Sequence, residues 1–588
     1  MSTQLTRREL IHVLESIPGS KELVVEQPLM RPLDKFASMT LLQEHGCARV
    51  HQLSLDRAVM WDSDSAARVF LVRPKLAIIR KLCELIKAEP AATYAGIFVE
   101  KRLSVCDVEL EKAGVFGLIE IFELSLGFIP LESDLFSLEL PQIPAAGPSD
   151  YLTIAKSLWQ LQSLYGSIPN QFTIGKAAVA CGKIFGRISH ESGEPPASAN
   201  QPISHLFLFD RHVDLVSTLL TGLTYESMLN DAFQYSCGKI AFGEAVESRL
   251  KQKNAGRRVV ALNNSDVIFS AVRNRHMTQV FPFLSAKAKD LQQSFDRAST
   301  MNKVEEVKDF VSNELRQLKQ NHKLLELHIC ACEVLLESNR GAADRFSLEH
   351  AIVRRNADPT AVMEYLEICL CKQQNPWTVL QLACLWSICD DGLASKHFHA
   401  FRTKFLHACG YEYLPVLHYL QLNGLLTERS VPAASGVAKV TALKEAVNVA
   451  SIRKGSFAAI SKALTLCPES DKPFDAKSST APSYAFSETY TPLIVQMVAQ
   501  TVSDGWSTTK FQKALGPDIP LSCHPAAPAK PDNRLRKAIL VAFIGGVTFA
   551  EIAALRQFAQ NTNFRIMIVT SHVIQREEFL KSQGEMTL

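Results

Sequence analysis

The sequence has no stretch that is apolar for long enough to cross a bilayer. The uncharged run Ala538–Ala550 covers roughly 13 residues against the ~20 a spanning helix needs. The N-terminal stretch MSTQLTRRELIHVLE carries charges throughout and lacks the apolar core of a secretory signal. A cytosolic chain is therefore expected. The 14 cysteines fit that setting: none forms a C-x-x-C pair, and Cys83, Cys106, Cys181 and Cys384 lie in apolar segments where a reduced thiol acts as a small hydrophobe. His397 and His399, near Cys384, Cys389 and Cys409, are the best candidate zinc ligands, but the knuckle spacings of structural zinc sites are missing. No metal is expected. Gly175-Lys176 and Gly182-Lys183 each lack the upstream glycine of a phosphate loop, and neither G-x-S-x-G nor H-E-x-x-H occurs. No cofactor is expected either. A net charge of +3 argues against nucleic-acid binding, which needs a concentrated basic face.

What is present is a globular composition, 47% apolar and 21% charged over 588 residues, enough for two to four domains. Apolar runs at Leu23–Val25, Arg68–Val72, Tyr94–Val99 and Leu118–Leu124 read as strands. Helix-like segments at Thr40–His45, Pro74–Lys87 and Val105–Ala113 alternate with them, the pattern of a parallel, doubly wound sheet. Pro141–Pro148 makes a boundary. Helices are expected at Tyr151–Gly166 and Ile174–Ser189, then a strand at His205–Phe209. From about Asp231 to Thr465 the pattern is almost wholly helical. Cys467–Ser483 reads as a polar linker and Gly516–Asn533 as a flexible, Pro-rich excursion. Strand and helix runs return at Leu493–Val502, Leu535–Ile544, Phe549–Gln557 and Phe564–Thr570. This order gives an N-terminal α/β domain (1–140), a second α/β domain in two parts (141–230 and 483–588) and a helical domain (231–482) inserted between them. His205–Phe209 and Ala538–Ile544 would share one sheet.

The run Leu206–Phe209 ends on Asp210, Arg211 and Asp214, at the carboxyl end of a strand where open α/β sheets usually place ligands or chemistry. Two carboxylates and a guanidinium make no nucleophile, metal set or phosphate cradle. The plainer reading is that Asp210 and Asp214 satisfy Arg211 and local amides at a turn. Gly545-Gly546, after the other strand, reads as a tight turn.

The helical part opens with a hairpin. Ala288, Leu291, Phe295 and Ala298 form one stripe. Val304, Val307, Val311, Leu315, Leu318, Leu325, Ile329 and Cys332 form another, with His322 in its one polar slot and Asn302/Glu305 as a capping pair. The second helix is longer than a compact core requires, and its other face carries Lys308, Glu314, Arg316, Lys319 and Lys323. Such a projecting face suits helix binding.

The segments DRHVD (Asp210–Asp214) and GGVTFAEIAALR (Gly545–Arg556) resemble the signature segments of the Sec/Munc (SM) family of SNARE-binding proteins. Leu29–Gly46 is similar to the start of its members, where the N-terminal domain faces a SNARE. Ser312–Glu333 and Gly424–Glu428 are similar to the B-type branch of the family's vacuolar-sorting class. The resemblance implies an SM-type arch of two parallel-sheet α/β domains with a large all-helical domain inserted into the second. It implies a non-enzymatic protein that templates SNARE assembly, with Lys289, Gln292, Asp296, Lys303, Lys308, Arg316 and Lys319 as candidate SNARE contacts. It further implies an α-solenoid subunit of an endosomal tethering complex as partner; the aromatic-rich helical stretch gives the candidate contacts Trp377, Phe398, Phe401 and Tyr413, although most aromatics there are expected in the core. Asp210, Arg211, Asp214, Gly545 and Gly546 are then structural. Location follows the partners: cytoplasmic, peripheral on late endosomes, lysosomes or recycling endosomes. Two other readings stay open, a scaffold that binds only its solenoid partner and an α/β enzyme acting at the Asp210/Arg211/Asp214 strand end.

Overall fold

Strands buried on both faces organise each half of the chain. The computed structural model describes residues 2–584 except 56–58, 60, 62–66, 142–146, 194–202, 251–258, 300–314, 430–455, 470–473, 478, 526–537 and 563. The chain divides into two compact units, one of residues 1–139, 148–167 and 184–197, the other of residues 140–147, 168–183 and 198–588.

The first unit holds a parallel five-stranded sheet of β1 (Lys21–Glu26), β2 (Cys47–Leu53), β3 (Ala67–Val72), β4 (Tyr94–Val99) and β5 (Ile119–Leu124), in the order β2-β1-β3-β4-β5. The three inner strands are buried at every residue, whereas both edge strands are exposed mid-strand. Alternation along each strand feeds two apolar layers. Leu23, Val25, Val69 and Leu71 meet Leu10, Leu14, Leu33 and Phe36 on one face. Val24, Phe70 and Val72 meet Ile79, Leu82 and Ile86 on the other. Helix Ser2–Ser16 and strand β2 are additions to the sequence reading. Edge strand β2 carries Arg49, His51 and Gln52 on its outer part, which hides the apolar run that betrays an inner strand. A short antiparallel pair, β6 (Ile129–Pro130) and β7 (Leu135–Ser137), follows.

In the second unit, β8 (Asn170–Ile174) and β9 (Ile203–Asp210) pair in parallel, and β9 pairs in parallel with a strand more than 300 residues later, Ala538–Ile544, opposing Phe207 to Val541. The expected shared sheet is present. Between them lie a small antiparallel sheet of β10 (Gln234–Ser236), β11 (Lys239–Ala241) and β12 (Val259–Ala261), then a succession of helices. That small sheet interrupts the segment read as helical, because three-residue strands are too short to show a two-residue period. The segment read as an excursion carries β13 (Leu521–His524), antiparallel to β8. Its half-exposed residues lack the apolar run of an inner strand. Ala538–Ile544 is β14, and β15 (Arg565–Thr570) pairs with it in parallel. Leu206, Phe207, Leu208 and Phe209 are all fully buried, each large side chain stabilising the fold by roughly 1.5–3 kcal/mol.

Candidate functional site

The carboxyl ends of β9 and β14 bring the two motif segments together. Asp210 closes β9, and its carboxylate accepts from the amides of Ala177 (2.9 Å) and His212 (3.0 Å). Burial alone would raise its pKa, but the His212 side chain and those amides outweigh it and lower it. Gly175, at φ +98°, lets the turn after β8 come this close: a Cβ there would lie 2.5 Å from that of Asp210.

Arg211 is 1% exposed, and its hydrogen-bonded carboxylate partner is Glu551, with Asp214 a more distant second. Nη1 donates to Oε1 at 2.8 Å and to Oε2 at 2.7 Å, while Nη2 donates to the Asp214 carbonyl. The Asp214 carboxylate stands 4.0 Å off and is occupied elsewhere. It accepts from the amides of Ser217 (3.0 Å) and Leu493 (3.1 Å) and from the hydroxyls of Ser217 (2.6 Å) and Tyr490 (3.1 Å). Burial would lower the Arg211 pKa, but Glu551 and Asp214 raise it, so the guanidinium stays charged. Glu551 is held in a capping box, its Oε2 accepting from the Thr548 amide at 3.0 Å at the start of helix Phe549–Asn561. The expected local pairing with Asp214 is present, through its carbonyl and a 4.0 Å ion pair, but the closer carboxylate is Glu551. That partner lies in the second motif segment, and the glutamate of G-G-x-T-x-x-E is the signal that could have named it. Gly545 and Gly546 both sit at positive φ, +91° and +97°. A Cβ on the first would press the Arg211 Cβ at 2.9 Å, and on the second Ile574 at 2.5 Å and His572 Nε2 at 2.7 Å.

The hairpin consists of helices Met277–Ser299 and Leu315–Ser338. Its root is buried through Leu284, Leu325, Leu327, Ala331, Cys332 and Leu335. The fully buried histidine is His328, with Nδ1 2.9 Å from the Tyr225 hydroxyl and Nε2 3.0 Å from Asp266. His322, read as the polar member of the stripe, is not part of that core and lies toward the tip. Six residues on, His328 lies where the helix enters the core. Lys289, Gln292, Arg316 and Lys319 are exposed; Asp296 lies on the first helix. Lys303, Lys308, Glu314 and the Asn302/Glu305 pair fall outside the described residues.

Farther along, helices Pro359–Cys371, Pro376–Cys389, Ser395–Cys409 and Leu414–Leu422 pack together. Phe398 and Phe401 are buried at 4% and 1% exposure, so as candidate partner contacts they offer no surface in this structure. They sit on the inward stripe of their helix with Phe405, which helical spacing dictates. Trp377 and Tyr413 are half-buried, with rings 6.1 Å apart. The exposed apolar side chains here include Ile368, at 49%, Tyr411, at 65%, and Leu414, at 39%. Cys384 and Cys389 are buried, and among the described residues no group of three or more His, Cys, Asp or Glu could hold a metal ion. Among the same residues, no helix is long and apolar enough to cross a membrane. In the first unit, Leu29, Leu33, Phe36 and Leu42 of the Leu29–Gly46 segment are buried core.

The strand ends locked by the buried arginine, and the helices between them in sequence, lie within a match to the Sec1 family. That family's model matches residues 21–582, and the chain belongs to it. It is similar to vacuolar protein sorting-associated protein 33B of Caenorhabditis elegans, 32% identical over 98% of this chain and 95% of the relative. To the Homo sapiens protein of that name it is 31% identical over 100% of this chain and 97% of the relative. An A-type relative, vacuolar protein sorting-associated protein 33A of Rattus norvegicus, is 28% identical over 99% and 97%. The resemblance read from those short segments therefore extends over the chain. Among solved structures, the Unc18–syntaxin 1 complex from Monosiga brevicollis matches with TM-score 0.59 at 15% identity, covering 99% of both chains. The SM protein Vps45 in complex with the Qa SNARE Tlg2 matches with TM-score 0.58 at 15% identity, covering 99% and 97%. At such identities the likeness shows the fold.

Proposed function

We propose that this vesicle-trafficking protein is non-enzymatic and binds SNARE helices, holding them in register so that four-helix assembly starts at lower entropic cost. In this reading it works as a subunit of an endosomal tethering complex, carried by an α-solenoid partner on late endosomes, lysosomes or recycling endosomes. The observation that carries the reading is the end-to-end likeness to vacuolar protein sorting-associated protein 33B sequences. Two solved relatives of the same fold are, by their descriptions, complexes with syntaxin 1 and with a Qa SNARE. Support for the surface comes from the hairpin, whose helices expose Lys289, Arg316, Lys319 and Lys323 beyond a buried root. A structural role for Asp210, Arg211, Asp214, Gly545 and Gly546 agrees with their geometry: Asp210 and Asp214 accept backbone amides, Arg211 holds Glu551, and the glycines admit close backbone approach. The division into 1–140, 141–230 with 483–588, and an inserted 231–482 accompanies the same reading.

The test is calorimetric titration of the purified full chain with the cytoplasmic region of a Qa SNARE, alongside affinity purification with the chain as bait. Saturable SNARE binding and recovery of an α-solenoid subunit are expected. Recovery of the solenoid subunit without SNARE affinity would reduce the protein to a scaffold. Saturable nucleotide binding would reopen the enzymatic reading.

A further inference from the structure

A cavity of about 500 Å³ opens where the helical region meets the C-terminal helix Arg576–Gly584. That is the size of a small-ligand site. Met228, Phe233, Val334 and Leu580 give it apolar walls, and Arg345, Trp377 and Gln381 stand among them. Trp377 and Gln381 lie one turn apart on helix Pro376–Cys389 and so share a face. Arg345 comes from helix Ala343–Val353. Glu349 ties it to Gln381, for Glu349 Oε1 lies 3.4 Å from Gln381 Nε2 and 3.5 Å from Arg345 Nε.

Each of the three keeps a polar group without a hydrogen-bonding partner among the described residues. Gln381 is 4% exposed, and its Nε2 donates to the Leu219 carbonyl at 2.6 Å as well as to Glu349. Both partners are acceptors, so the amide cannot flip, and Oε1 is left as an unmet acceptor. Oε1 is not sealed from solvent, and on a side chain this buried its opening is the cavity that Gln381 lines. Arg345 Nε is sealed, but Nη1 and Nη2 are open and unmet. The indole Nε1 of half-buried Trp377 is open and unmet too. Two donor groups therefore stand beside one acceptor.

The charges of the wall decide what these groups can take. Arg576 is held by Thr221 and Asp231, and Glu577 by Asn375 and Lys581. Arg345 and Glu244, opposite in sign, are the charged wall residues without a hydrogen-bonded partner among the described residues. A polyphosphate would meet Asp231, Glu244 and Glu577, and a lone cation would meet Arg345. A carboxylate suits the Arg345 fork and the Trp377 N–H, and an adjacent N–H suits Gln381 Oε1. An α-amino acid carries both groups on one carbon, and so does the free C-terminal residue of a peptide. We propose that the cavity binds an α-carboxylate together with its neighbouring N–H, the ligand's side chain lying on the apolar walls. This inference is independent of the SNARE reading.

The test is calorimetric titration of the full chain with three probes: N-acetyl-phenylalanine, phenylalanine and N-acetyl-phenylalaninamide. Saturable binding of the acids is expected, about tenfold or more tighter than that of the amide, the weight of a charge-assisted hydrogen bond. Tighter binding of the N-acetyl acid than of phenylalanine identifies a peptide end as the source, and the reverse order identifies a free amino acid. Arg345→Gln should weaken the acids by about the same factor. Trp377→Phe keeps the ring, removes the N–H and leaves the Arg345–Glu349 contact in place, so it serves as the second variant should loss of that contact unfold the chain. Equal affinity for acid and amide, no saturable binding of either acid, or acid binding that survives both variants overturns the proposal.

Discussion

Arg211 and Glu551 stand 340 positions apart in sequence and meet through two hydrogen bonds from one guanidinium nitrogen, at 2.8 and 2.7 Å, in a site almost closed to water. The first lies just past β9 and the second in the helix after β14, so the pair fastens strand ends that flank the whole helical region. Removing one partner leaves the other buried and charged. Glu551→Ala should therefore cost about 3–5 kcal/mol in chemical denaturation. Pairing that change with Arg211→Met should recover part of the loss, because no uncompensated charge remains. A single variant as stable as the parent would show that the pair contributes nothing to the fold.

Gly546→Ala tests the turn beside it. The new Cβ would meet Ile574 at 2.5 Å and His572 Nε2 at 2.7 Å, with φ at +97° where side chains are strained. A loss of at least ~1–3 kcal/mol is expected from backbone strain alone, read as a lower urea midpoint. Gly505→Ala is the matched control, having similar φ, +84°, and open space where its Cβ would stand; it should lose less.

How much of this was readable in advance follows from the length over which each signal runs. The inner strands were legible, since Leu206–Phe209 and Tyr94–Val99 are apolar at nearly every position, as only two-face burial requires. Strands β10 to β13 were not, because strands of three or four residues are too short to carry a period. Asp210 and Asp214 were legible as turn residues from their place after a strand. Glu551 was not assigned to Arg211, because a contact across 340 residues leaves no trace in local spacing; only the paired motif segments hinted at it. Phe398 and Phe401 were candidate partner contacts from a run of aromatics expected to be mostly core, and the phase of their helix puts these two inside.

Buried histidines and buried carboxylates pull the response to acid in opposite directions. Burial lowers His276 and His572 from 6.5 to about 4, and lowers His350 as well. The unfolded chain binds more protons at these sites below pH 6.5, so their contribution to stability is present above that pH and is lost as pH falls towards 4. Glu100 acts in the opposite sense. Burial raises it from 4.5 to about 7, so its contribution is lost as pH rises through that range. Glu9, Asp231 and Glu551 are raised by burial too and act in the same sense as Glu100, so the histidine and carboxylate contributions are separated by variants. Against the parent, His572→Asn should lose less stability on acidification from pH 7 to 5, and Glu100→Gln should lose more, read as urea midpoints. Either variant shifting the profile the other way would reverse the assignment.

Reversal of charge on the hairpin separates binding from folding. Lys289, Arg316 and Lys319 are exposed, and exposed charges contribute only ~0–1 kcal/mol each. Changing all three to Glu should leave Tm within a few degrees while weakening SNARE binding, most at low salt where screening is least. Unchanged affinity in calorimetry would move the SNARE contact off this face.

The partner face is tested by the apolar side chains that the helices leave outside. Tyr411 is 65% exposed and Leu414 39%, next to the half-buried pair Trp377 and Tyr413, whereas Phe398 and Phe401 are core. Exposed aromatics dominate interface hot spots because they bury large area at low entropic cost. Tyr411→Ala with Leu414→Ala removes apolar surface without opening the core, so thermal unfolding should be almost unchanged. If the α-solenoid partner docks here and carries the chain to its membrane, co-purification with it should drop sharply, and so should endosomal localisation. SNARE affinity measured on the isolated chain should persist. Phe401→Ala serves as the contrast: it opens a cavity costing about 3–5 kcal/mol, and it should lose partner and SNARE binding together through instability. Full partner recovery with the Tyr411/Leu414 variant would place the contact on another face of the helical region.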